Sequence, residues 1–292
     1  MNAARKTALV TGGTSGVGLT LARALANSGA EVYFVGTSQA KGERVEQELD
    51  QGTGRFIRLD LSDLHAVRSF AQAFATEHDA LDVLVNAAGV MLPTRQVTSD
   101  GNERAFTISH LAPFVLSHQL LPILANAAHG RIVNVSGAPS QLLKPSLDFD
   151  NLQLRSNYTL MRSTINAVHA KTVMTEILAE KFEPEGVDVN AFHPGAVKSD
   201  LFRNMTFPLN VIFRAARFFM SSASPTGVYA TISDTLNGKT GQFIVGKKVQ
   251  PLSFERAYKD RLWKATIEAL PFASDTHRSA STSAPPSTAI ST

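Results

Sequence analysis

No cysteine occurs among the 292 residues, which excludes a disulfide scaffold, thiolate metal sites and a cysteine nucleophile. No apolar run reaches the roughly 18 residues of a membrane-spanning helix, and Met1–Lys6 is too short and polar to open a secretory signal. A soluble, cytoplasmic protein is the expectation. Charge of one sign is scarce as well: 28 Lys and Arg against 25 Asp and Glu leave a formal charge of +3, without the basic footprint of a nucleic-acid partner. The eight histidines are scattered with no short ligand pair, so no metal site is expected. What remains is a chain 43% hydrophobic and 18% charged, a globular balance with length enough for a substantial core.

Short apolar runs bounded by turn residues stand at Thr7–Val10, Glu31–Val35, Arg55–Asp60, Val83–Asn86, Arg131–Val135, Val187–Phe192 and Gly241–Val245. They lack strict alternation, as strands buried on both faces of a parallel sheet do. Between the first two, Val17, Leu21, Ala22 and Leu25 recur at helical spacing and Gly29 can stop the helix. Leu64–Glu77, Asn102–Asn126 and Ser163–Phe182 are each long enough for a crossover helix. This alternation predicts a doubly wound α/β sheet of Rossmann type, in one domain over residues 1–272. Residues 201–226 interleave Phe, Met, Leu and Val with Arg203, Arg214 and Arg217. They read as a lid over an apolar ligand, or as packing against the body or a second subunit, or as a peripheral membrane contact. Residues 273–292 are almost wholly Ser, Thr, Ala and Pro, which predicts a disordered tail.

The turn after the first strand reads Thr11-Gly12-Gly13-Thr14-Ser15-Gly16-Val17-Gly18 and opens a helix. Gly12 permits the tight turn, Gly16 lets backbone approach a pyrophosphate, and Gly18 lets helix and strand pack closely. The helix N-terminus offers free N–H groups and a partial positive charge to phosphates. Thr14, Ser15 and Val17 complete that candidate nucleotide cradle.

The motif resembles that of the short-chain dehydrogenase/reductase family, nearest its retinol dehydrogenase and protochlorophyllide reductase branch. Asp60-Leu61, Asn86-Ala87-Ala88-Gly89, the run His193–Ser199 and the late Lys259–Trp263 helix stand at family spacing, over roughly residues 5–272. The resemblance implies that Asp60 holds adenine and that Asn86, Ala88 and Gly89 line the cofactor. It also implies that Val197 and Ser199 meet the nicotinamide carboxamide. Family members commonly associate through the helices matching 102–126 and 163–182, so a homo-oligomer is one option. The second strand ends in Gly36-Thr37-Ser38, with Lys41 close behind. No carboxylate there repels a 2′-phosphate, while two hydroxyls and an ammonium can receive it; NADP(H) is favoured over NAD(H).

The resemblance also implies a tyrosine that protonates the substrate carbonyl, a lysine four residues later, a carbonyl-orienting serine and a relay asparagine. Counting back from Pro194-Gly195 puts the tyrosine position at Thr164 and the lysine position at Val168. The serine position falls on Gly137, beside Ser136, and the asparagine position on Ser109. All four are replaced. A register slid by three residues makes Lys171 the family lysine and Ala167 the tyrosine, but it turns Met174, Ile177, Leu178 and Phe182 off the core. Lys171 nonetheless shares nearly one helix face with Val168, about 4.5 Å further along; a solvated lysine is the plainer reading. Thr164, Ser136, Tyr158 and Lys171 are the catalytic candidates. Tyr158 has packing as its competing role, and His169 and His110 read as structural.

Three functions follow. The first is an atypical NADP(H)-dependent oxidoreductase for a bulky, largely apolar carbonyl or alcohol, for which a biosynthetic intermediate is suitable. Substrate, water or a non-family residue supplies its proton. The second is a cyclase, isomerase or dehydratase on the same fold; the third is a non-catalytic dinucleotide-binding protein. If the register is right, Thr164→Tyr combined with Val168→Lys gains weak NADPH-dependent reduction of simple aldehydes. A well-folded double variant with no gain in a 340 nm assay returns the slid register to contention.

Overall fold

The computed structural model describes residues 5–49, 53–195, 197, 221 and 223–272. Ser199, most of the 201–226 segment and the 273–292 tail lie outside them. Eight strands form one sheet in the order β3-β2-β1-β4-β5-β6-β7-β8. These are β1 (Thr7–Thr11), β2 (Glu31–Gly36), β3 (Gly54–Arg58), β4 (Val83–Asn86), β5 (Arg131–Val135), β6 (Asp188–Phe192), β7 (Gln242–Val245) and β8 (Lys248–Pro251). All neighbours pair in parallel except β7 with β8. The expected doubly wound α/β fold is present. The seventh expected run is β7, and β8 adds a strand that was not expected: Gly246, at φ +63°, turns the chain after Val245, and β8 is mostly exposed, so it carries no apolar run.

Helices cover both faces. The layer containing α1 (Gly16–Asn27) and α2 (Gln39–Glu48) packs Leu21, Leu25 and Val45 against Val10, Phe34 and Val85. The other contains α3 (Leu64–Glu77), α5 (Ala112–Gln119), α8 (Leu160–Phe182) and the closing helix Arg256–Glu268. There Val67, Leu116, Met174 and Leu262 meet Leu9, Leu84 and Ile132. The α2 segment, with few apolar residues, escapes periodicity; the Ser38 side chain caps it at Lys41 N. The segment expected as one helix over 102–126 is divided into α4 (Arg104–Phe106), a π-turn at Thr107–Leu111, α5 and α6 (Leu121–Ala125). Pro113 and Pro122 sit in the first turns of α5 and α6, and each lacks the N–H that would carry a regular α-helix through the join. Helix α8 starts at Leu160 rather than Ser163, because Thr159 supplies the cap to Arg162 N.

The closing helix is tied to α8 by Lys259. Its ammonium donates to Glu176 Oε1 at 2.9 Å and to Glu180, and Glu176 Oε2 accepts Phe254 N at 2.9 Å. The Lys259 and Glu176 side chains are 8% and 11% exposed, so removing one leaves a buried charge unpaired. Lys259→Met is expected to cost about 3 kcal/mol, read as a lowered urea midpoint at unchanged slope.

Candidate active site

The strand order places the crevice. β1 has β2 on one side and β4 on the other, so the crossovers leave in opposite directions and the loops beyond the strand ends part. A cleft of about 520 Å³ opens there. Its floor is the β1–α1 turn. Gly12 has φ +68°, and a Cβ on it would stand 3.0 Å from Ala88 Cα. A Cβ on Gly18 would stand 2.4 Å from Gly12 O, so only glycine lets α1 rise from the strand at this angle. The Ser15 side chain makes no cap to α1, whereas Ser38, Asp63 and Thr159 cap their helices. The first-turn amides of α1 therefore lack a side-chain acceptor, and Gly16, Val17 and Gly18 form cleft wall. A pyrophosphate fits that cradle by its chemistry and by the space the missing Cβ atoms leave.

Most of the sequence-derived positions meet on this cleft. Gly12, Thr14 and Ser15 line it with the α1 turn; Thr37, Asp60, Leu61, Ala88 and Gly89 line the strand-end loops; Val197 closes the far side. Asp60 Oδ1 accepts from Ser62 N at 2.9 Å and Ser62 Oγ at 2.7 Å, leaving Oδ2 at 3.5 Å from Arg104. Lys41 stands in the first turn of α2 and is not among the lining residues. The Asn86 side chain, expected to line the cofactor, is buried, is not among the lining residues, and donates Nδ2 to Asn134 Oδ1 at 2.9 Å. Asn134 in turn donates to Thr175 Oγ1 at 3.0 Å, tying β4, β5 and α8 together.

The catalytic candidates divide. Thr164 and Ser136 line the cleft, with Ser109 and Val168, but both hydroxyl protons are engaged. Thr164 donates to Leu160 O at 2.9 Å. Thr172 donates to Val168 O at 2.8 Å, so the 2.6 Å contact between Ser136 and Thr172 carries Ser136's proton. Tyr158 is corrected: its hydroxyl donates to Leu92 O at 2.8 Å and it is not among the residues on the wall. The larger correction is Lys171. It is not a solvated lysine; it is 4% exposed, lines the cleft, and donates to Asn86 O at a long 3.4 Å. Burial pushes its ammonium down to about 7. A signal was available: seven residues after Thr164 is two helical turns, the same face. His169 and His110 are structural. Nε2 of His169 meets Tyr258 Oη at 3.0 Å, and Nε2 of His110 meets Thr266 Oγ1 at 2.8 Å.

Comparison with known proteins agrees with this geometry. The short chain dehydrogenase family model matches residues 6–146. Retinol dehydrogenase 12 of Bos taurus is 32% identical over 275 residues, covering 91% of this chain and 86% of that protein. The chain belongs to the short-chain dehydrogenase family. Another member, the chloroplastic short-chain dehydrogenase TIC 32 B of Brassica napus, is 31% identical over 92% of this chain and 89% of its own length. Among solved structures, a metagenomic short-chain oxidoreductase in complex with NADP aligns at TM-score 0.53 and 26% identity, over 65% of this chain and 82% of that one. A Mycobacterium paratuberculosis protein aligns at TM-score 0.65 and 26% identity, over 91% and 93%. Short-chain dehydrogenases of this branch are oxidoreductases that bind a nicotinamide dinucleotide. Among the described residues no helix is long and apolar enough to cross a membrane, and no His, Cys, Asp and Glu group could hold a metal.

The cradle carries a direct test. Gly16 has φ +56°, so Gly16→Asp adds both backbone strain and an anion against the phosphate position. NADPH affinity measured by calorimetry is expected to fall by at least 100-fold, with the fold retained by circular dichroism.

Proposed function

We propose that this chain is an atypical NADP(H)-dependent oxidoreductase acting on a bulky, largely apolar carbonyl/alcohol pair. The observation that carries the reading is one continuous cleft, with free α1 amides at one end and an apolar wall around Lys171 at the other. Met91, Ile108 and Val135 supply much of that wall. The family's Asn, Ser, Tyr and Lys positions are taken by Ser109, Gly137, Thr164 and Val168, which makes the site atypical.

A nicotinamide bound in the cleft supplies or accepts the hydride. The chain's own residues bind and orient: the α1 turn holds phosphates, Asp60 and Leu61 flank the base, and Val197 bounds the carboxamide side. Thr37 stands where an NAD site carries its acid. It lines the cleft without adding negative charge, which supports NADP(H), as does the NADP in the metagenomic relative. Apolar surface excludes water and holds the substrate by proximity.

Calorimetric titration with NADPH, NADP and NADH tests the reading. Micromolar NADPH binding at least tenfold tighter than NADH is expected, with Thr37→Asp reversing the order through carboxylate–phosphate repulsion. No binding of any of the three overturns it in favour of cyclase, isomerase or dehydratase chemistry. Tight binding with no NADPH oxidation across a panel of bulky ketones favours a non-catalytic nucleotide sensor.

A further inference from the structure

Of the titratable groups on the described cleft wall, Asp60 and Lys171 are the two that bear charge. Asp60 follows β3, bonded to Ser62 and facing Arg104. Lys171 stands at the other end, on the α8 face that also carries Thr164 and Val168. The hydroxyls beside it are poor proton donors on two counts. Aliphatic alcohols are weak acids, and the Thr164 and Ser136 protons already serve Leu160 O and Thr172 Oγ1. Tyr158 is held by Leu92 O. The Lys171 ammonium donates to Asn86 O across a long 3.4 Å, which leaves N–H capacity unspent.

We propose that Lys171 is the catalytic acid of this site, giving a proton to the carbonyl oxygen as hydride reaches the carbonyl carbon. The inference rests on the nucleotide-binding reading above. In the reducing direction the C–H bond of the reduced nicotinamide breaks and a C–H bond forms at the carbonyl carbon. An N–H bond of Lys171 breaks as the O–H bond of the alcohol forms. The products are oxidised nucleotide, alcohol and a neutral amine, which solvent entering the cleft reprotonates. Aldehydes and ketones without an acidic hydroxyl of their own become eligible substrates, since the protein furnishes the proton.

The surroundings suit an acid that works near neutrality. From the π-turn, His110 faces Lys171 across a space of about 10 Å³ that Asn134 also lines, room on the order of one water. That histidine is held neutral, pushed down to about 3 by burial and by the lysine's charge. From β4 comes the Asn86 carbonyl, from β5 Asn134, from the turn after it Ser136, and within α8 Thr175 donates to Lys171 O at 2.9 Å. None is a carboxylate, so among the described residues no fixed anion holds the proton on the amine. Burial pushes the lysine to about 7, where proton transfer is most effective at physiological pH.

The test compares wild type with Lys171→Met and Lys171→Arg. Calorimetric titration with NADPH at pH 7.5, in two buffers of different ionisation enthalpy, reads proton uptake on binding. Uptake is expected in wild type, because the anionic nucleotide recharges the buried amine, and is lost in both variants. With 9,10-phenanthrenequinone as a bulky apolar carbonyl, wild-type kcat/KM for NADPH, which reports the nucleotide-free protein, is expected to fall tenfold per pH unit above about pH 7. Lys171→Met should lose about 100-fold or more in rate and the pH limb with it. Lys171→Arg should keep nucleotide affinity better than Lys171→Met but also lose the limb. Because methionine removes a buried charge, a raised melting temperature is expected and serves as the folding control. NADPH binding with proton uptake or the pH limb undiminished in Lys171→Met overturns the role of Lys171 and leaves the nucleotide reading standing. A wild-type protein that binds no NADPH overturns both.

Discussion

The distance between Gly18 and Gly12 governs this molecule. A single added carbon at Gly18 would stand 2.4 Å from the Gly12 carbonyl, so the helix leaves the strand at the angle that glycine alone allows. The same turn is bolted to its neighbour by Thr11, whose hydroxyl donates to Val85 O at 3.3 Å and accepts Ala87 N at 3.0 Å and Ala88 N at 3.1 Å. Those bonds carry the β4 turn to the edge of the nucleotide cradle. Uncapped α1 amides, the Ala88–Gly89 wall and the parting of the loops beyond β1 and β4 all follow from that junction.

The opposite wall obeys a different constraint, the pairing of buried polar groups with one another. Asn86, Asn134 and Thr175 bond in series across two strands and a helix, and Ser136, Thr172 and the Val168 carbonyl do the same one layer outward. The first series is not complete: Asn86 Oδ1 is buried with no hydrogen-bond partner among the described residues. These networks leave the side chains near Thr164 with few protons to spend on a substrate. A buried lysine in their midst is costly, and among the described residues it faces no carboxylate that would offset the cost. Residues that break the local rules of stability in this way mark the places where function has shaped the chain.

Much of the architecture was legible in the chain itself. Parallel strands buried on both faces read as continuous apolar runs, and seven of them fell close to their observed limits. The exceptions share a cause. Helix α2 and strand β8 are largely exposed, so neither periodicity nor apolar runs reveal them. In the 102–126 segment the π-turn leaves no compositional mark, whereas Pro113 and Pro122 do mark the starts of α5 and α6.

The nucleotide cradle was determined by sequence, because it depends on glycines whose conformations are set by their own missing side chains. Which polar residues face the reacting end was decided only by tertiary structure. Lys171 meets Asn86 across 85 residues of chain, and Tyr158 is captured by Leu92 from 66 residues away. Helical spacing could put Lys171 on the right face; it could not say that β4 and β5 would close over the side chain and strip its water. Desolvation is a sum over everything packed around a group, and that sum exists only once the chain has folded.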